Sequence, residues 1–322
     1  MTPLAEAVVL VAALALLLLG ATLSWFCFKA WPYLREAKKW GLVFRGALGD
    51  SSDAPMSASH YDVYRRLKHL GAWAVEEGLV SRLLLVETSP GVQRAVFDVS
   101  SRGQFAFLLS HMRQHASIAE DERIVIDLGA NDGFQGSHSC NFTQLGWWAV
   151  LVEANPALEA ELRNNAGRDK RWLGHEDRVI IRISAVTGRT DGPQTLNIKG
   201  WAHTGSSLLA PSGAPGEFGV SVRGESAETL MLSIEESLTS RGAALPRTFG
   251  VLSLDIEGLD LEVLSAVCHA GFRPRYIVSE ARGDLSPYER LLYPLGYRRL
   301  AYFDADLIYW MPPARRGGPD ES

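Results

Sequence analysis

The stretch RIVIDLGANDGF, residues Arg123–Phe134, sets an apolar run, an acid and two glycines in immediate succession. Ile124-Val125-Ile126 reads as a buried strand that delivers Asp127 into a loop holding Gly129 and Gly133, and a helical pattern follows over Gln135–Leu145. A strand ending in an acid, a glycine-containing turn and then a helix form a nucleotide-type ligand site. Glycine lets the backbone turn tightly and approach a ligand, and open α/β sheets bind ligands at the carboxyl ends of their strands. The spacing D-x-G-x-x-x-G differs from the G-x-G-x-x-G of dinucleotide enzymes. The plainer reading is an ordinary strand–helix turn, where Gly and Asp are common.

Outward from this stretch the pattern alternates. Strand Trp148–Glu153, a helix at Ala157–Asn165 and strand Val179–Val186 follow, then a short strand around Thr195–Ile198. Residues 203–228, with PSGAPGEFG at their centre, read as a loop long enough to be a lid or a substrate loop. Ser233 and Glu236 have capping-box spacing and predict a helix over Ile234–Ser240. Strand Gly250–Asp255, a helix through Leu259–His269 and strand Tyr276–Glu280 complete the alternation, which implies a parallel sheet covered by helices on both faces. Gly296–Phe303 and Leu307–Met311 read as an antiparallel hairpin.

The first 118 residues are of another kind. Residues 7–28 carry no charge and include VVLVAALALLLLGATL, enough as a helix to cross a bilayer, with Trp25, Phe26, Trp31 and Tyr33 where an aromatic belt belongs. They predict a single-pass anchor and juxtamembrane segment over residues 1–45; a cleaved signal peptide is the alternative, but the basic n-region is missing. Lys29, Arg35, Lys38, Lys39 and Arg45 follow the span, so the positive-inside rule places the catalytic domain in the cytoplasm. In the opposite, lumenal arrangement Asn141-Phe142-Thr143 would be a glycosylation sequon. Residues 46–60 read as a linker, 61–118 as an extension packed on the core, 119–312 as the catalytic domain and 313–322 as a disordered tail. A net charge of −5 over 322 residues, with no basic stripe, argues against nucleic acid. Three scattered cysteines exclude a disulfide framework and a zinc finger.

Further residues carry chemistry. Glu153 ends the second strand, twenty residues after Gly133, where a carboxylate can accept hydrogen bonds from ribose hydroxyls. Ala154, Asn155, Ser184 and Ala185 stand where they could border a base. Asp255 and Glu257, in FGVLSLDIEGLDLEVL, emerge at the carboxyl end of another strand and face the same cleft; acids opening a helix explain Glu257 and Asp260 but not Asp255. Glu280 lines the same rim, and Asp255, Glu257 and Glu280 together could hold Mg²⁺, although no bound metal is expected. His111 and His115 share a helix face at i, i+4 and read as packing or surface residues rather than ligands; His203 is a further base without a spacing rule behind it.

DLGANDGF, LGWWAVLVEANPALEAELRNN, ISAVTG with TGSSL, FGVLSLDIEGLDLEVL and YIVSE together resemble the FkbM-type S-adenosylmethionine (SAM) methyltransferases over about Ile124–Met311. The resemblance implies a Rossmann-like α/β fold with a seven-stranded sheet whose last two strands form the hairpin. It implies O-methylation of a hydroxyl on a small-molecule or glycan acceptor. By position, Asp127, Gly129, Gly133 and Glu153 would bind SAM, with Asn131 and Asp132 in the same loop, while Asp255, Glu257 and Gly258 would form the acidic motif. Asp132 departs from the ordinary small apolar residue at its position and marks an N-D-G subset. The expected activity is therefore a membrane-anchored SAM-dependent O-methyltransferase, with Asp255 or Glu257 orienting or deprotonating the hydroxyl. Two rivals stand beside it. One is a catalytically silent, membrane-tethered binding module with this fold; the other is a nicotinamide-dependent oxidoreductase, which the missing middle glycine disfavours.

Overall fold

A computed structural model describes residues 83–89, 92–101, 103–115, 118–134, 136–173, 178–198, 206–209, 217–281, 283–303 and 305–313. The expected span at 7–28, the linker at 46–60, His203 and tail residues 314–322 lie outside the described residues. Among the described residues no helix is long and apolar enough to cross a membrane. By contact the chain divides into two units, residues 1–81 with 89–94 and residues 82–88 with 95–322. Of the first, only Ser89 and residues 92–94 are described, within strands Leu83–Ser89 (β1) and Val92–Phe97 (β2).

The second unit is a mixed α/β layer structure. In chain order it continues with Gln104–His115 (α1), Ile124–Leu128 (β3), Ser139–Gln144 (α2), Trp148–Glu153 (β4), Glu159–Leu173 (α3) and Val179–Ile183 (β5). Ala185–Thr187 (β6), Gly192–Ile198 (β7), Phe218–Ser226 (β8), Ala227–Thr239 (α4), Val251–Leu254 (β9) and Asp260–His269 (α5) follow. Tyr276–Glu280 (β10), Ser286–Leu292 (α6), Arg298–Phe303 (β11) and Asp306–Trp310 (β12) close it. Seven strands form one sheet in the order β11-β12-β10-β9-β3-β4-β5. β10, β9, β3, β4 and β5 run parallel, and β12 pairs antiparallel with both β10 and β11. The expected seven-stranded sheet with its terminal hairpin is the one observed.

Strand periodicity explains the layering. Every residue of β3 and β9 is buried, because each strand is covered on both faces. Ile124, Ile126 and Leu128 point to one face with Val150, Val152, Leu252 and Leu254, where Leu230, Ile234 and Leu238 of α4 and Val263 and Val267 of α5 cover them. Val125, Ala149, Leu151 and Val251 point to the other, under Phe105 and Leu108 of α1, Phe142 of α2 and Leu162 of α3. From β3 the chain runs outward through β4 to β5, then returns to β9 on the opposite side of β3. The strand order therefore reverses between β3 and β9, and a crevice opens at their carboxyl ends.

Four expected boundaries are corrected. The strand read as Val179–Val186 breaks at Ser184, whose N–H donates to Glu153 O at 2.9 Å; beyond it β6 leaves for a three-stranded sheet of order β6-β8-β7. The loop read over 203–228 contains nine-residue β8, antiparallel to β7. Glycines 219 and 224 hid its period-two pattern, yet a Cβ on Gly224 would lie 2.4 Å from Gln194 Cγ of β7. The helix read over Gln135–Leu145 starts only at Ser139, since Gly133 and Gly136 both hold φ of +72°. The helix read over Ile234–Ser240 begins at Ala227, where Ser226 Oγ accepts the Thr229 N–H at 3.3 Å; Ser233 Oγ donates back to Leu230 O and caps nothing.

Candidate cofactor cleft

Three loops, after β3, β4 and β9, are tied together by backbone hydrogen bonds at the crevice. The N–H groups of Gly129 and Ala130 donate to Val152 O at 2.9 and 3.0 Å, and Asp255 N–H donates to Leu128 O at 2.9 Å. Gly129 stands at φ +89°, and a Cβ there would lie 1.9 Å from Asp255 O. No other residue type allows the two loops this approach. Gly133 serves a different purpose. Its missing Cβ would lie 2.5 Å from Leu162 Cδ1, so it admits α3 onto the loop.

Glu153 is buried at the end of β4, and each of its oxygens accepts a backbone N–H at 2.8 Å, Oε2 from Asn131 and Oε1 from Asn155. Burial raises its pKa, partly offset by those bonds. Asn131 holds φ +51° to make its contact, a left-handed conformation that Asn tolerates better than most residues. Ala154, Ser184 and Ala185 line the cleft beside Glu153, with Leu158, Val186 and Leu196 as apolar wall. On the opposite side stand Gly129, Asp255 and Glu257.

Asp127, Asp132 and Gly133 do not line this cleft. Asp127 is buried, and its Oδ2 accepts the Ser139 hydroxyl at 2.6 Å, which pins the start of α2. Asp132 Oδ1 accepts Phe134 N–H at 2.8 Å, and its carbonyl accepts Asn165 Nδ2 at 2.8 Å. The sequence grouped these with the ligand contacts because they share one loop with Gly129 and Asn131.

The Asp255–Gly258 turn is organised by a residue the sequence assigned only to a helix end. Buried Asp260 accepts Ile256 N–H at 3.2 Å through Oδ1 and Gly258 N–H at 3.1 Å through Oδ2. Ser207 Oγ donates to Glu257 O at 2.9 Å and holds that residue at φ +50°. No spacing rule links Ser207 to Glu257, fifty positions away. Asp255 keeps solvent-accessible surface, but it lies in a concavity among other acids. Desolvation, then Glu280, Glu257, Asp260 and Asp306, push its carboxyl up to about 8.

Carboxylate oxygens of Asp255, Glu257 and Glu280 lie within 4.8 Å of one another, a hard-oxygen set that could hold a divalent cation. It is the one such acid, His or Cys group among the described residues. His111 and His115 belong to packing. His111 Nδ1 meets Tyr276 OH at 2.9 Å, and its ring lies 4.7 Å from Trp310. Asn141 of the sequon is wholly buried, donating from Nδ2 to Ser137 O and accepting Val99 N–H at Oδ1, both at 2.9 Å. It is closed to glycosylation in the folded domain.

Fold and crevice define a Rossmann-like α/β domain with an acid-rimmed ligand cleft at its switch point. The chain belongs to the FkbM methyltransferase family: the model of the methyltransferase FkbM domain matches residues 127–302. It is a methyltransferase. Among solved structures it is similar to the METTL16 MTase domain, at 11% identity and TM-score 0.37, covering 87% of this chain and 91% of that one. It is also similar to the O-methyltransferase from Bacillus cereus in complex with SAH, at 12% identity and TM-score 0.33, covering 81% and 94%. A third is the methyltransferase FkbM from Methylobacillus flagellatus KT, at 14% identity and TM-score 0.36, covering 76% and 62%. No curated protein matches the chain.

Proposed function

We propose that this methyltransferase moves a methyl group from SAM to a hydroxyl of a small-molecule or glycan acceptor. The observation that carries the reading is the approach of Gly129 to Asp255, which sets Glu153 and the Asp255–Glu257 pair on two sides of one cleft. The residues present fit SAM. Glu153 accepts backbone N–H groups of Asn131, Asn155 and Ala154, and its two oxygens keep acceptor capacity for a ribose hydroxyl. Leu158, Val186 and Leu196 offer a dry wall to a flat base, with Ala154, Ser184 and Ala185 at its edge. Gly129 and Asn131 bring backbone to the amino-acid end, and the acids suit the sulfonium and ammonium charges of SAM. Asp127, Asp132 and Gly133 act in the same reading by shaping the loop rather than touching the ligand.

Bound SAM supplies an electrophilic methyl group. Asp255 orients the acceptor hydroxyl and takes its proton, with Glu257 beside it; a carboxyl shifted toward neutrality is a far better base than an ordinary aspartate. Positioning the hydroxyl in line with the methyl supplies much of the acceleration. Calorimetric titration with SAM tests the cofactor, and tritiated-methyl transfer to fractionated extracts tests the acceptor. Folded protein that takes up no SAM would sink the reading.

Residues 7–28 tether the enzyme to a membrane in a single pass, with the methyltransferase domain in the cytoplasm. Retention in the membrane pellet after carbonate extraction supports the tether. Protease accessibility on intact vesicles tests the orientation, which glycosylation cannot report while Asn141 is buried.

A further inference from the structure

Residues 206–209 are a short piece of chain clamped to the small sheet. Ser207 bridges antiparallel to Asn197 of β7: Asn197 N–H donates to Ser207 O at 2.9 Å, and Ser207 N–H to Asn197 O at 3.0 Å. Asn197 Nδ2 also donates to Leu209 O at 2.6 Å, and Asn197 and Ser207 are both buried. We propose that this segment is a positioning device for the acceptor side of the reaction, in which Ser207 sets the direction of Glu257.

The clamp acts on one peptide group. Ser207 Oγ donates to Glu257 O at 2.9 Å, and Asp260 Oδ2 accepts Gly258 N–H at 3.1 Å. That carbonyl and that N–H belong to the same planar unit, so holding both ends fixes its rotation. The conformation held is one the chain avoids unaided. Glu257 stands at φ +50°, where a residue with a Cβ is crowded by its own backbone. Such strain persists only where the surroundings over-determine it, and it gathers at functional sites. Ser207 Oγ is itself fixed, because it accepts Leu209 N–H at 3.1 Å while donating to Glu257. Leu209 closes on the turn from the same side: a Cβ on Gly258 would lie 2.8 Å from Leu209 Cδ1.

Direction matters here because Ser206 and Leu208, on either side of Ser207, line the cleft together with Asp255 and Glu257. A Glu257 relaxed to the right-handed region would send its side chain off along a different Cα–Cβ bond, away from its place beside Asp255. The cofactor side is anchored separately: Glu153 through Asn131 and Asn155, and Gly129 through Val152. Loss of the Ser207 hydroxyl therefore separates catalysis from cofactor binding. The proposal rests on methyl transfer at Asp255 and Glu257, and two readouts tell its failure from the failure of that reading.

Hydrogen–deuterium exchange of the full-length protein, with neither SAM nor acceptor present, reads the clamp directly. In Ser207→Ala the Gly258 amide is expected to exchange about tenfold faster than in wild type, while amides of β3 and β4 keep their rates. Ser207→Thr keeps the donor and restores the protection. The second readout uses tritiated SAM and the extract fraction that wild type methylates. There Ser207→Ala should lose about tenfold or more in kcat, with its KM for SAM within about threefold of wild type. Unchanged Gly258 exchange overturns the proposal. So does a wild-type kcat, or a KM for SAM that rises as far as kcat falls. Wild-type protein that transfers no methyl group sinks the methyl-transfer reading itself, and any catalytic positioning by Ser207 with it. Should Ser207→Ala fail to fold, Ser207→Cys, closer in size and a weak donor, gives the same comparison.

Discussion

Two glycines of the decisive loop are required for different reasons, and substitution separates them. Gly129→Ala combines a forbidden φ with a collision against the Asp255 carbonyl, and backbone cannot give way. It is expected to lose at least about 2 kcal/mol of stability together with SAM binding. Gly133→Ala meets only the flexible end of Leu162, so the same calorimetry and thermal melts should show lower stability with SAM affinity largely kept. Glu153→Gln keeps the shape but removes the charge that would hold a ribose, and SAM affinity should fall about tenfold or more. Asp255 sets the pH behaviour. Its carboxyl is neutral below about 8 and ionised above it, so a base role requires kcat/KM to rise with pH through that value and level off. Asp255→Asn should flatten the rise and lower kcat; an unchanged profile would move the base elsewhere.

At the scale of elements, the clearest test lies in α4. Ser226→Ala removes the N-cap bond to Thr229 and should cost about 1 kcal/mol in denaturant melts, whereas Ser233→Ala should change little. The capping-box spacing at Ser233 and Glu236 was legible but false, because β8 runs straight into α4 and supplies its own cap about two turns earlier. β8 was missed for a related reason. Glycines 219 and 224 look like loop residues in a sequence, while in the sheet they are the small residues that let β7 and β8 lie close. Strands β3, β4, β9 and β10 were read correctly because both faces are buried and the apolar run is continuous.

The whole sheet closes around the cleft, since loops from β4 on one side of β3 and from β9 on the other both reach it. Ligand binding should therefore stabilise the domain as a unit: SAM at a hundred times its Kd is expected to add about 2.7 kcal/mol, read as a rise in Tm. A flat Tm alongside calorimetric binding would place the ligand on a part that melts separately. The sequence by itself determined the layered α/β fold, the glycine-containing loop after Ile124–Asp127 and the residue types at the rim, because local apolar periods and turn glycines encode strands and turns directly. Only the tertiary structure decided which of those residues face the cleft. Asp127 turns to Ser139, Glu153 turns to the backbone of Asn131 and Asn155, and Asp255 gathers Glu257, Glu280 and Asp306 around it. Those directions depend on side chains far apart in the chain, meeting where strand order reverses. No local pattern carries that information.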